Sequence, residues 1–128
     1  MNPLMLDTNI CSYIIRERPL AVAVRLESVG EAMISCITDY ELVRGALNQP
    51  RLFERVEQFL RRVAVLAWDQ AAARHAAQIW ADLTVRGQRI GDNDILIAGH
   101  ALAAGCTLVT NNTREFARVA GLQIEDWS

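Results

Sequence analysis

Gly91-Asp92-Asn93-Asp94-Ile95-Leu96-Ile97-Ala98-Gly99-His100-Ala101 reads as a loop that turns into a helix with two carboxylates at its mouth. Gly91 interrupts the preceding pattern, Asp92 is placed to act as N-cap, and Ile95, Leu96, Ala98, Ala101 and Leu102 recur at helical spacing. Asp94 therefore falls in the first helical turn, where the helix dipole alone favours a carboxylate. The dipole accounts for either aspartate by itself, and not for the company Asp94 keeps. Asp7 and Glu41 also stand where an apolar, strand-like run gives way to a helical pattern. In an open parallel α/β sheet such junctions, at the carboxyl ends of the strands, gather in one crevice, so acids distant in sequence can meet there.

The rest of the chain supports that sheet. Pro3-Leu4-Met5-Leu6 is a short apolar run ending in Asp7-Thr8-Asn9, with either Asp7 or Thr8 able to cap the helix that Ile10, Tyr13, Ile14 and Ile15 continue. Glu17-Arg18-Pro19 closes that helix, and Leu20 to Val29 forms another, ended by Gly30. Met33-Ile34-Ser35-Cys36-Ile37 reads as the second strand, followed by Thr38 and Glu41 at capping-box spacing, a purely structural reason for Glu41. From Leu52 to Val63 the stripe Phe53, Val56, Phe59 and Leu60 predicts an amphipathic helix, whose apolar side either packs in the core or offers a groove to a partner peptide. Val63 to Leu66 is a short strand, and Asp69 caps a long helix running to about Val85, with His75 and Trp80 expected on its packed face. Thr107-Leu108-Val109 and Gln123-Ile124-Glu125 are the last strands. Strands alternating with helices predict a three-layer α/β/α fold, a single domain over residues 1–128 around a parallel sheet of four to five strands.

Composition excludes several chemistries. All 13 basic residues are arginine, so a Walker-type phosphate loop, a Schiff-base enzyme and a Ser-Lys hydrolase, each needing lysine, are ruled out. Neither GxGxxG nor GxSxG occurs, which removes the usual dinucleotide fingerprint and the nucleophile elbow. The net charge of -2 argues against binding nucleic acid by bulk basicity and leaves room for a local basic face. Cys11, Cys36 and Cys106 are odd in number, widely spaced and set among apolar neighbours, so they read as small buried groups. No run is long enough to span a bilayer and no export leader is visible, so the expected home is a reducing cytoplasm.

Three converging carboxylates repel and raise one another's pKa, so such a cluster persists comfortably only around a cation. Oxygen ligands without His or Cys select a hard ion, Mg²⁺ or Mn²⁺, which can activate water and stabilise the charge that develops in phosphodiester hydrolysis. A haloacid-dehalogenase phosphatase also uses an early Asp with Mg²⁺. It expects Asp-x-Asp and a lysine, where this chain has Asp7-Thr8-Asn9 and no lysine.

The same residues carry a family resemblance. Met5-Leu6-Asp7-Thr8-Asn9, Ile37-Thr38 with Glu41-Leu42 and Gly45-Ala46, Ile90-Gly91 with Asp94 and Ile97 to Ala101, Leu108 to Asn112 with Glu115-Phe116, and Glu125-Asp126-Trp127 recur in order and spacing over essentially the whole chain. On these the chain resembles a PIN-domain ribonuclease of the VapC toxin type, the toxic half of a bacterial toxin–antitoxin pair. The resemblance implies that Asp7, Glu41 and Asp94 ligate Mg²⁺, with Thr8, Asn9 and Thr110 orienting carboxylates and water. Many members have a fourth aspartate where this chain reads Asn112, whose amide brings no charge; its plain alternative is an N-cap with Glu115 three residues on. Asp92 has no settled counterpart. The implied activity is Mg²⁺-dependent endoribonuclease cleavage of RNA, with tRNA the leading substrate and the initiator tRNA anticodon loop among its targets. Arg86, Arg89 and Arg114 are candidates for phosphate contacts, weighed evenly against ordinary solvated arginines. Implied partners are a second copy in a homodimer and a VapB-like antitoxin that covers the site and supplies operator DNA binding. A non-catalytic co-repressor, its acids anchoring an antitoxin arginine, is the alternative.

Overall fold

The computed structural model describes residues 2–127. Among them, five parallel strands form one sheet in the order β3-β2-β1-β4-β5: β1 (Leu4–Leu6), β2 (Met33–Ser35), β3 (Ala64–Leu66), β4 (Thr107–Val109) and β5 (Ile124–Glu125). β1 is central, and the strand order reverses between it and β4, so the crevice where ligands of such sheets bind opens beyond Leu6 and Val109.

Strand alternation divides the core into two layers. Leu6, Ile34 and Val109 face one side, where they meet α1 (Thr8–Arg16), α2 (Leu20–Val29), α3 (Cys36–Ala46) and α4 (Pro50–Leu60) through Ile10, Ile14, Leu26, Leu42, Val56 and Phe59. Met5 and Leu108 face the other side, packed by α5 (Gln70–Val85), α6 (Asp92–Ala104) and α7 (Thr113–Phe116) through Ala76, Leu83, Ile97, Ala101 and Phe116. This is the expected α/β/α arrangement. α5 and α6 touch almost backbone to backbone: a Cβ on Gly99 would sit 2.7 Å from the Ala76 nitrogen. Only glycine fits there, and the contact locks α6, the carrier of Asp94, against the sheet.

Several local readings change in three dimensions. α3 begins at Cys36, with Ser35 as N-cap accepting the Ile37 N–H at 3.1 Å, so Thr38 is no cap and the predicted capping box with Glu41 does not form. A buried polar side chain at the strand end captured the helix start three residues earlier than the Ser/Thr pattern indicated. Asp92 likewise is not the N-cap of α6; Gly91 is, without a side-chain bond, and Asp92 is the first helical residue. α4 starts at Pro50, which suits a first-turn position, and ends at Leu60 rather than Val63. Val56 and Phe59 of the stripe are buried in the core, with Phe53 and Leu60 partly buried against it. Trp80, expected to be packed, is 49% exposed, because α5 buries the row Ala72, Ala76, Ile79 and Leu83 beside it. His75 is half-buried rather than a core residue. Cys11 and Cys106 are buried and Cys36 partly so, all three unbridged.

Candidate active site at the strand ends

Asp7 follows β1 and is 3% exposed. Its backbone N–H extends the ladder to Val109, its Oδ1 caps α1 by accepting the Ile10 N–H at 2.9 Å, and the Thr110 hydroxyl hydrogen-bonds its carboxylate. The cap that sequence assigned to Asp7 or Thr8 is thus Asp7. Thr110 is itself held by the Asn112 N–H, which donates to its Oγ1 at 2.9 Å. Glu41 lies in the second turn of α3 and faces this junction. Its Oε1 accepts from Thr8 Oγ1 at 2.6 Å and its Oε2 from Asn93 Nδ2 at 3.1 Å. Both oxygens point outward to other elements, as a functional carboxylate's would, and not back to their own helix start.

Asp94 stands on the first turn of α6, half-buried, beside Asn93. Burial pushes its pKa from 3.8 to about 6, helped by the charges of Glu41 and Glu115. Asp7 is raised likewise to about 6, chiefly by burial, which outweighs the bonds from Thr110 and Ile10; Asp94 and Glu41 add to it. Asp7, Glu41, Asp94 and Glu115 are therefore electrostatic neighbours although they come from four separate elements. Among the described residues no arginine forms an ion pair with any of them; the three ion pairs present lie elsewhere, at Arg25–Glu125, Arg62–Glu27 and Arg86–Asp82.

Glu115 and Asn93 are the members that sequence reasoning did not assign to the site. In the sequence Glu115 is part of a matching motif and the partner of a possible Asn112 cap, with no role at the site. Asn112 does precede α7, but its side chain makes no cap bond and instead donates from Nδ2 to Glu115 Oε2 at 3.1 Å. The signal that could have exposed Glu115 is its position after β4, on the same crevice rim as Asp7. Asn93 has no role in the sequence reading, although it lies between Asp92 and Asp94.

The remaining candidates disperse. Thr8 is half-buried and bonded to Glu41, whereas Asn9 is exposed and makes no side-chain hydrogen bond among the described residues. Asp92 is exposed and turned toward α5, lining an apolar cavity of about 280 Å³ with Trp68, Trp80 and Leu96. Arg86 is committed within the fold: it pairs with Asp82 at 2.6 Å and donates to the Arg118 carbonyl at 2.6 Å. Arg89 and Arg114 are exposed. Beside the acids, a cleft of about 110 Å³ runs between α1, α3 and α4, lined by Thr8, Ser12, Arg16, Glu41, Leu52 and Val56.

The donor set is all oxygen and strongly anionic, which fits a hard divalent cation in type and charge. Among the described residues no three acidic, histidine or cysteine side chains stand grouped so that they could together hold a metal ion as they are placed. Carboxylates that repel one another stand apart until a cation neutralises them.

The PIN domain family profile matches residues 4–122. A curated relative from Shigella flexneri, the tRNA(fMet)-specific endonuclease VapC, is 46% identical over 97% of each chain. Ribonuclease VapC2 of Haemophilus influenzae is 42% identical over 96% of each. Among solved structures, one described as DNA-bound VapBC from Salmonella typhimurium superposes with a TM-score of 0.93 at 42% identity, covering 100% of both chains. A profile spanning nearly the whole sheet, relatives above 40% identity at full length and the shared backbone lead to one conclusion: this chain belongs to the VapC ribonucleases of the PIN-domain family.

Proposed function

We propose that the chain is the toxin of a type II toxin–antitoxin pair, a metal-dependent endoribonuclease whose centre is Asp7, Glu41 and Asp94. The observation that carries this reading is the pair of aspartates raised to about 6 beside further acids, with no arginine to neutralise them among the described residues. A Mg²⁺ ion there, or Mn²⁺ in its place, would supply an activated water and neutralise the charge that builds on the phosphate during hydrolysis. The chain's residues do the positioning. Thr110 and the α1 N-terminus orient Asp7, Thr8 and Asn93 each hold one oxygen of Glu41, and Asn112 orients Glu115 as a fourth acid in place of an aspartate. No protein nucleophile is required.

The relatives named for tRNA(fMet) support initiator tRNA as the substrate, and the family resemblance makes its anticodon loop the expected place of the cut. Arg89 and Arg114 are the free candidates for phosphate contact, with Arg86 tied to Asp82. The VapBC complexes bound to DNA in two relatives support a VapB-like antitoxin that reaches operator DNA on behalf of the pair. Homodimer formation and a cytoplasmic home complete the reading. No helix among the described residues is long and apolar enough to cross a membrane.

The test is cleavage of a total tRNA pool by the purified chain freed of antitoxin, with Mg²⁺ and with chelator, followed by mapping of the new ends. The expected result is a single Mg²⁺-dependent cut in the initiator tRNA, absent in Asp94→Asn. Intact RNA under Mg²⁺ and Mn²⁺, with antitoxin binding preserved, would overturn the enzyme reading in favour of a co-repressor.

A further inference from the structure

Beneath the carboxylates lies a buried polar junction that the chemistry above leaves unused. His100, in the middle of α6, is 3% exposed, and its Nδ1 stands 2.7 Å from Ser35 Oγ. The Ser35 oxygen already accepts the Ile37 N–H at the start of α3. The Ala67 carbonyl takes a hydrogen bond from the ring. A neutral ring with its proton on Nε2 facing Ala67, and the Ser35 hydroxyl donating to Nδ1, satisfies these groups without burying a charge. Burial favours the neutral ring by pushing its pKa down, against the pull of Asp69 and Ala67.

The segment after β3 reinforces the junction. The Trp68 backbone N–H donates to Cys36 Sγ at 3.2 Å, in the first turn of α3, and its indole N–H donates to the Leu96 carbonyl of α6 at 3.0 Å. Ser35 opens the helix that carries Glu41, and His100 belongs to the helix that carries Asn93 and Asp94. The two helices meet again at the site itself, where Asn93 bonds Glu41.

We propose that His100 is a positioning residue: through Ser35 and Ala67 it fixes α6 against the start of α3 and thereby sets the spacing of Glu41 and Asp94. The inference rests on the carboxylate centre proposed above. A fully bonded link in a low-dielectric interior is stiff, because breaking any member leaves a buried polar group without a partner. Two acids on separate helices need such a brace, since their own repulsion drives them apart.

The test uses the full chain and two paired substitutions. His100→Asn keeps an acceptor near the Nδ1 position and His100→Leu removes it; Ser35→Thr keeps the hydroxyl and Ser35→Gly removes it while remaining a tolerated N-cap. Two quantities are read: the Asn93 side-chain amide signal by NMR without metal, and Mn²⁺ affinity by calorimetry. We expect His100→Leu and Ser35→Gly to move the Asn93 amide toward a free side chain and to weaken Mn²⁺ about tenfold or more, the scale of a lost outer-shell partner. His100→Asn and Ser35→Thr should stay close to wild type in both. A folded His100→Leu or Ser35→Gly with wild-type Asn93 signal and Mn²⁺ affinity would overturn the inference. Should His100→Leu fail to fold, the Ser35 pair decides, because it leaves the ring in place. Wild-type protein that binds no Mn²⁺ would count against the metal centre, and the Asn93 amide would still decide the brace.

Discussion

The acids of the crevice and the acids of the outer surface are the same residue types kept in opposite ways. Glu27, Asp82 and Glu125 each hold an arginine at 2.6 to 3.1 Å in partly exposed ion pairs. Asp7 and Asp94 are buried to different depths, face other acids and carry pKa values raised to about 6. In a chain with 13 arginines, surface acids find cations wherever long side chains can reach. The crevice sits where the sheet order reverses, and its walls are helix starts and strand ends that offer N–H and hydroxyl donors. The difference teaches that the crevice stores electrostatic strain, which the cation proposed above would relieve, whereas the surface pairs add solubility and little stability.

Removing the charge where it is most strained should have the largest effect. Asp94→Asn is expected to reduce RNA cleavage about a thousandfold or more, equivalent to roughly 4 kcal/mol of lost transition-state stabilisation. Asp7→Asn should match it while keeping α1 capped, because asparagine caps as well as aspartate. Single-turnover cleavage beside circular dichroism checks both; retained activity in either would strip that acid of its role. Glu41→Gln comes next. It can keep acceptor and donor contacts to its neighbours but not the charge, so its fold should persist while cleavage and the Mg²⁺-dependent rise in melting temperature fall together. A mutant that melts and responds to Mg²⁺ like wild type would return Glu41 to a structural role.

The third expectation concerns pH. For Asp7 and Asp94 the folded pKa lies above the ordinary value of 3.8, so the unfolded chain gives up its protons first. Stability from these groups is complete below about pH 4 and is lost as pH rises through about 6. In chelator, unfolding free energy should therefore drop between pH 4 and 7 by on the order of 2 to 3 kcal/mol from the buried Asp7 and by less from the half-buried Asp94, and Asp94→Asn should reduce the drop. Denaturant titration at both pH values measures it, and a metal-free protein equally stable at both would contradict the strained crevice. The smallest effect belongs to the surface. Asp82→Ala should cost less than about 1 kcal/mol despite a short ion pair, since exposed pairs are screened and entropically costly. A larger loss would mean that Arg86, through the Arg118 carbonyl, props the loop leading to Gly91.

Much of this was legible along the chain. Leu4 to Leu6, Met33 to Ser35 and Thr107 to Val109 are short apolar runs ended by polar breaks, and a run of that kind determines a buried parallel strand by its own composition. Helical periodicity likewise determined α4 and α5 to within a turn, and three acids at strand-to-helix junctions sufficed to locate the crevice. What the sequence could not decide was which side chain takes a contested bond. Thr38 and Glu41 have the spacing of a capping box, yet Ser35 won the cap because the end of β2 places its hydroxyl under the Ile37 N–H and beside His100. Glu115 joined the site through Asp94, 21 residues away in sequence, and Arg86 left it through Asp82 on its own helix and the distant Arg118 carbonyl. Periodicity and propensity are local and survive in the one-dimensional string. Hydrogen-bond partners and electrostatic neighbours are set by how layers stack, so they exist only once β1 and β4 lie side by side and α3 and α6 close over their ends.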